Sequence, residues 1–264
     1  MVPAAIPAAK GGRRVRMKSA IRKILRRTAQ ALAVATVLVT LAGGAVLAYP
    51  QPLFAYHVEQ GTLQLWSDRP FDPDRGRAVL TDVERRIARL PLALGSATHR
   101  IFVTNSEWRR RLAFLWNAGA AGVNYYPLHD VFIRSSDIDH DRVLRAAGGQ
   151  VPPPRTFAYY GAHEIGHSLI GARVGAIANW RLPRWIREGM ADYIGFGGDV
   201  DIDALTRALQ AGDPDLDPRR SGLYARYRLL VAYMLEREGW SVDALLASNL
   251  SQDQAERRLL AHTP

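Results

Sequence analysis

Hydrophobic residues recur along this chain with three spacings, and each predicts a different element. The first is an unbroken run. Ala31 to Ala48 is 18 residues of almost wholly apolar sequence, and no charge appears from Thr28 to Tyr56. At 1.5 Å per residue a helix of that run reaches about 27 Å, close to the hydrocarbon thickness of a bilayer. The second spacing is alternation. Thr62–Ser67 ("TLQLWS"), His99–Asn105 ("HRIFVTN"), "VNYYP" and His129–Ser136 read as strands, the last two around a turn at Pro127. The third is helical. Asp72 to Leu90 places Leu80, Val83, Ile87 and Leu90 on one face, and Ser106 to Trp116 forms a second helix with Ser106 as its N-cap. From Pro154 onward the pattern is almost all helical, at about 156–173, 183–196, 201–211, 220–238 and 241–262.

Gly148-Gly149 and Pro152 to Pro154 mark the junction between these regimes. Strands first and helices second predict an α+β fold, a small mixed β-sheet with helices followed by a mostly helical C-terminal half. The last strand before the long helix is "DVFIRSS", which places a sheet edge near 130–136 beside whatever that helix carries. No internal repeat is present.

Charge changes the picture at one end only. The formal net charge is +10, but the first 27 residues hold nine basic side chains and no acidic one. Removing those nine from the 35 leaves 26 basic against 25 acidic, so the body is near neutral and a nucleic-acid groove is not supported. The division expected is 1–27 as a basic cytoplasmic tail, 28–50 as a transmembrane signal anchor or signal peptide, 51–60 as a spacer and 61–264 as one folded domain. The positive-inside rule keeps the tail in the cytoplasm and sends the rest outward. Val46-Leu47-Ala48 offers small residues for cleavage, whereas the length of the run favours an uncleaved anchor. The chain contains no cysteine, which excludes disulfides, thiolate ligands and a cysteine nucleophile.

The candidate chemistry lies in "AHEIGHSLIG", Ala162 to Gly171. Residues four apart stand on one helix face, so His163 and His167 point the same way and can share one Zn²⁺. Glu164 is next round the helix, near the metal without being a ligand, where it can take the proton of a metal-bound water. Such a site needs a third protein ligand and an open position. Downstream, "RLPRWIREGMADYIGF" (Arg181–Phe196) opens a helix at Pro183 and carries Glu188, with Asp192 one turn on. An antiparallel return brings Glu188 to the metal and lets Asp192 orient a ligand histidine from behind. The surrounding Trp185, Ile186, Met190, Tyr193 and Ile194 imply that both carboxylates are partnered.

His163-Glu164-x-x-His167 followed by Glu188-Gly-Met-Ala-Asp192-Tyr193 resembles the gluzincin zinc metallopeptidases, and the form Trp185 to Tyr193 is similar to their compact bacterial peptidase MA-like members. The resemblance covers about 131–227. It implies a zincin-like fold, Zn²⁺ held by His163, His167 and Glu188, Glu164 as general base, Asp192 as the residue behind the ligands, and an edge strand near 130–136 that aligns an extended peptide. It also implies an oxyanion-stabilising side chain, for which Tyr224 is the first choice and Tyr227 the second. The Gly-x-Met-x-Asn segment of the aminopeptidases is missing, with only "GVNYYP" in its place. An endopeptidase is therefore expected, acting on peptide or protein outside the bacterial inner membrane, or secreted after signal cleavage. The alternative is a non-catalytic zinc-binding envelope protein of the same fold, against which stands Glu164, a residue that ligation does not need. "DIDHD" (Asp137–Asp141) lacks the glycine of a calcium loop, having Arg142 instead, and reads as a solvated loop, whereas "GDPDLDP" (Gly212–Pro218), which stops at Pro218, reads as an interhelical loop.

Overall fold

The computed structural model describes residues 11–262 except 91, 93–96, 116, 118, 146–147 and 222. The chain falls into two compact units, Met1–Pro50 and Gln51–Pro264. In the first, helix α1 runs Gly11–Ala48. Its Arg22–Ala48 portion has a mean hydropathy of 2.3 over its best 18 residues and buries none of them, so it is long and apolar enough to attach the protein to a membrane.

The second unit is α+β. Its sheet has the order β1-β2-β3-β5-β4, with β1 Tyr56–Gln60, β2 Leu63–Ser67, β3 His99–Thr104, β4 Gly122–Tyr125 and β5 Asp130–Arg134. The three inner strands β2, β3 and β5 are parallel, and β1 and β4 close the edges antiparallel. Alternation assigns the faces. Leu65, Ile101, Val103, Val131 and Ile133 join the main core, whereas Trp66, Phe102 and Phe132 stack on the opposite side. The core face is covered by α2 (Pro73–Ile87) and α4 (Phe157–Val174). Pro73 at the first position of α2 and the Asp72 carboxylate, which accepts from the Asp74 and Arg75 amides, fix where α2 begins. The opposite face is covered by α3 (Glu107–Phe114), tied to β4 where Tyr125 donates to Ala113 O at 2.6 Å.

Two short strands, β6 (Ser136–Asp137) and β7 (Arg142–Val143), lead into the helical half. After α4 come α5 (Ala176–Arg181), α6 (Arg184–Gly195), α7 (Ile202–Gln210), α8 (Pro218–Ser221), α9 (Ala225–Ala232), α10 (Val242–Leu246) and α11 (Gln252–Ala261). Helix α6 is wedged between α4 and α9. Gly166 permits this: a Cβ there would lie 2.9 Å from Ile194 Cδ1 and 3.5 Å from Ala191 Cα.

Several expectations need correction. The edge is not at 130–136: β5 is an inner strand, and β4 is the edge beside α4. Part of the expected spacer, Tyr56–Gln60, is strand β1, whose single buried side chain, Val58, leaves little alternation to read. Ser106 stands at the N-cap of α3 but does not cap it, because its hydroxyl donates to Asp68 at 2.7 Å. The expected end of that helix, Trp116, lies outside the described residues. The continuous helix at 241–262 is two helices, since Ser251 and Gln254 form a capping box that starts α11. The helix at 220–238 is also broken, with α9 beginning only at Ala225 and passing into a π-helical turn at Tyr233–Arg237. Asp141 does not belong to a purely solvated loop: its carboxylate accepts from the Ala158 amide at 2.7 Å and helps seat the start of α4.

Candidate metal centre

Helix α4 carries the site and is anchored at both ends of its working face. At its start Thr156 accepts from the Tyr159 amide, beside the Asp141 contact. Near its end Asn124 of β4 donates to Ser168 at 2.6 Å, which pins the edge strand alongside. His163, Glu164 and Ser168 are buried, an unusual load of polar groups for a core helix.

The structure brings His163, His167 and Glu188 together. One ligand atom from each lies within 4.8 Å of the others, a group that can hold a metal ion. The two imidazoles stand edge to face with centroids 5.0 Å apart. Glu188 reaches them from α6, its Oε2 3.6 Å from His167 Nε2, and its other oxygen is 3.5 Å from Arg187 Nε.

Burial holds the His163 imidazole well below its usual pKa, and the neighbouring His167 lowers it further. His167 is lowered as well, by burial, against the opposing Glu188 charge. Both rings are therefore neutral at ordinary pH, the form in which imidazole binds a metal. The Glu164 carboxyl is pushed up to about 8, by burial first and by Glu188 second. His163 Nδ1 is buried with no hydrogen-bond partner. Two neutral imidazoles and a carboxylate, with another carboxyl crowded against them, form a nitrogen and oxygen donor set that suits a divalent transition ion. The residues present fit such an ion.

Asp192 is one turn beyond Glu188, and its Oδ1 is 3.9 Å from His163 Nδ1. That is too far for a hydrogen bond. The carboxylate is held instead by Tyr159, whose hydroxyl donates to Oδ1, and by Arg228, whose Nη1 donates to Oδ2 at 2.8 Å. Burial raises the Asp192 carboxyl, while Arg228 and Tyr159 work against that rise. The guanidinium of Arg228 lies 3.7 Å over the Phe196 ring.

These groups open on a cleft of about 810 Å³ lined by Gly119 to Asn124, by Tyr159, Tyr160, His163, Glu164 and His167, and by Glu188 and Tyr224. Strand β4 forms one wall. Gly122 is set against Glu164 so closely that a Cβ there would lie 2.7 Å from both Cγ and Oε1. Of the two tyrosines expected near the site, Tyr224 lines the cleft and Tyr227 is not among the described lining residues. The Tyr224 ring lies parallel to that of His163 at 6.1 Å, and the Arg184 guanidinium lies 5.8 Å from its centroid.

Three neighbours escaped the sequence reading. Tyr159 lies four residues before His163, on the same helix face, and that spacing could have revealed it. Gly122 and Arg228 come from distant segments whose approach only the fold supplies. No protein-family model matches this chain, and a search of curated proteins finds no match either.

Proposed function

We propose that this protein is a zinc-dependent endopeptidase of gluzincin type, attached to the cytoplasmic membrane by α1 and acting outside it. The observation that carries this is the convergence of His163, His167 and Glu188 from two helices, with Glu164 beside them and free of ligand duty. Zinc is the ion chosen because two histidines and a glutamate with an open position are a common catalytic zinc set. Bound there, the ion supplies a Lewis acid that polarises a carbonyl and makes water acidic near neutrality.

The chain's own residues do the remainder. Glu164 Oε, ionised where a bound cation's charge offsets the burial and the Glu188 charge that otherwise push it up to about 8, accepts a proton from the attacking water and returns it to the leaving nitrogen as the C–N bond breaks. The Tyr224 hydroxyl, on a ring that lines the cleft parallel to that of His163, donates to the oxygen that gains negative charge. Asp192, clamped by Tyr159 and Arg228, places a carboxylate 3.9 Å behind His163 Nδ1 without a hydrogen bond to it, and acts on that ring through its charge. The outward backbone of β4 takes an extended chain segment as an added strand. The described lining residues include no carboxylate beyond Glu164 and Glu188, so none remains to hold a free substrate amine. That favours internal cleavage over removal of N-terminal residues.

The test is metal content together with activity. Protein purified without chelators is expected to carry close to one zinc per chain and to cleave unstructured polypeptide. A strong chelator should stop cleavage, and zinc should restore it. Absence of zinc, or cleavage indifferent to the chelator, would sink the proposal; zinc without turnover would favour a binding role. A narrower test uses Gly122→Ala. Its methyl group must displace the Glu164 carboxylate, so peptide cleavage is expected to fall on the order of 10²-fold. The zinc content should stay unchanged. An unaltered rate would show that β4 does not set the position of Glu164.

A further inference from the structure

The two most exposed apolar side chains among the described residues of the second unit are neighbours. Trp180 is 78% exposed and Ile177 is 70% exposed, three apart on the single short helix α5. Exposed Ala176 and Ala178 extend the patch. Isolated apolar residues on a surface need no explanation, but a cluster that includes a tryptophan does.

The stretch of chain on either side of α5 carries one sign of charge. No acidic residue occurs between Glu164 and Glu188, a stretch that holds Arg173, Arg181, Arg184 and Arg187. Arg173 pairs with Asp243, Arg187 with Glu188, and Arg184 lies against Tyr224. Arg181 is exposed and, among the described residues, has no carboxylate partner. Beside α5 a groove of about 670 Å³ opens, lined by Val174, Ile177, Leu182 and Leu246 with Arg181 at its rim, and none of its described lining residues is acidic. Tryptophan beside arginine with apolar bulk beneath suits the headgroup region of a bilayer, where the ring is half-wet and the cation meets lipid phosphate.

We propose that α5 and the groove beside it form a second membrane contact, docking on a bilayer surface that carries anionic phospholipid. The occupant follows from the same chain. Helix α1 is apolar enough to sit in a bilayer. Only residues 49–50 separate it from the second unit, which begins at Gln51 with a 3-10 turn and the buried Phe54, and they reach at most about 7 Å when extended. A tethered body meets the lipid surface at high effective concentration, so a small patch suffices where a free protein would need a larger one. Ala176, Asn179 and Trp180 also line the metal-site cleft, so this contact holds one end of the cleft at the headgroups. The inference does not depend on the metal or on catalysis.

The absence of cysteine makes a clean test available. Full-length Ile177→Cys, labelled with an environment-sensitive fluorophore, is placed in nanodiscs of equal parts phosphatidylcholine and phosphatidylglycerol containing a doxyl-labelled lipid quencher. Full-length Leu260→Cys, exposed on α11, is the control. Incorporation of the chain into the discs reports on α1 separately. Quenching at position 177 is expected to be several-fold stronger than at 260, and to weaken in pure phosphatidylcholine or when Arg181→Glu is added. Equal quenching at 177 and 260 would overturn the proposal. So would shielding of position 177 from aqueous iodide without lipid quenching, which would assign the patch to a second copy of the chain.

Discussion

Glu164→Gln should abolish peptide hydrolysis and leave the metal in place. The substitution keeps the shape of the side chain, so the close fit against Gly122 is undisturbed. It also removes an ionisable group that burial, and Glu188 after it, push up to about 8, so folding is not expected to suffer. What it removes is the ability to accept a proton. General-base catalysis contributes on the order of 10²- to 10⁴-fold, and the loss should fall in that range or beyond. The measurement pairs turnover on an unstructured polypeptide with zinc content for wild type and variant. A variant that retains zinc and cleaves within tenfold of wild type would remove Glu164 from the role of base.

Glu188→Ala tests the other half of the site and should act in the opposite way, through the metal. Glu188 is the only group from α6 among the three that converge. Without it, two histidines on successive turns of α4 remain, and water must fill the vacated position. Losing a partner behind a ligand costs about 10- to 100-fold in metal affinity, and losing a ligand outright should exceed that. Competition with a chelating dye measures the change. Thermal unfolding in excess chelator supplies the control, because both proteins are then compared without metal and should melt alike. Zinc affinity equal to wild type would show that Glu188 is not a ligand.

How much of this was legible in the sequence varied with the distance over which each signal acts. The helices over 156–173 and 183–196 were readable because their caps and apolar faces are local, and so was the α+β order of elements. His163 and His167 were readable for the same reason: helix geometry alone sets their spacing. The approach of Glu188 was readable as an antiparallel return, although Gly166, which makes the contact close enough, carries no mark that distinguishes it from any other helical glycine. The sheet edge was misplaced because strand order is not a local property. Inner strand β5 and edge strand β4 both read as short apolar runs, and pairing decided between them. The partners of Asp192 show the same limit. Tyr159 is one helical turn from His163, whereas Arg228 arrives from α9, and no spacing joins it to Asp192.

Strand β4 is four residues long, and only one of its sides is free. At about 3.3 Å per residue it offers some 13 Å of straight backbone. In an antiparallel pairing only alternate residues turn their amide and carbonyl groups outward, so such an edge can read little more than two residues' worth of main chain. Backbone ladders of that length say nothing about side-chain identity. A segment already hydrogen-bonded within its own helix or sheet has no free groups to offer, so a cleft that takes substrate on such an edge, as proposed, would discriminate by folding state. Under the proposed function it would pass over intact proteins and accept loops, frayed ends and chains that have lost their structure.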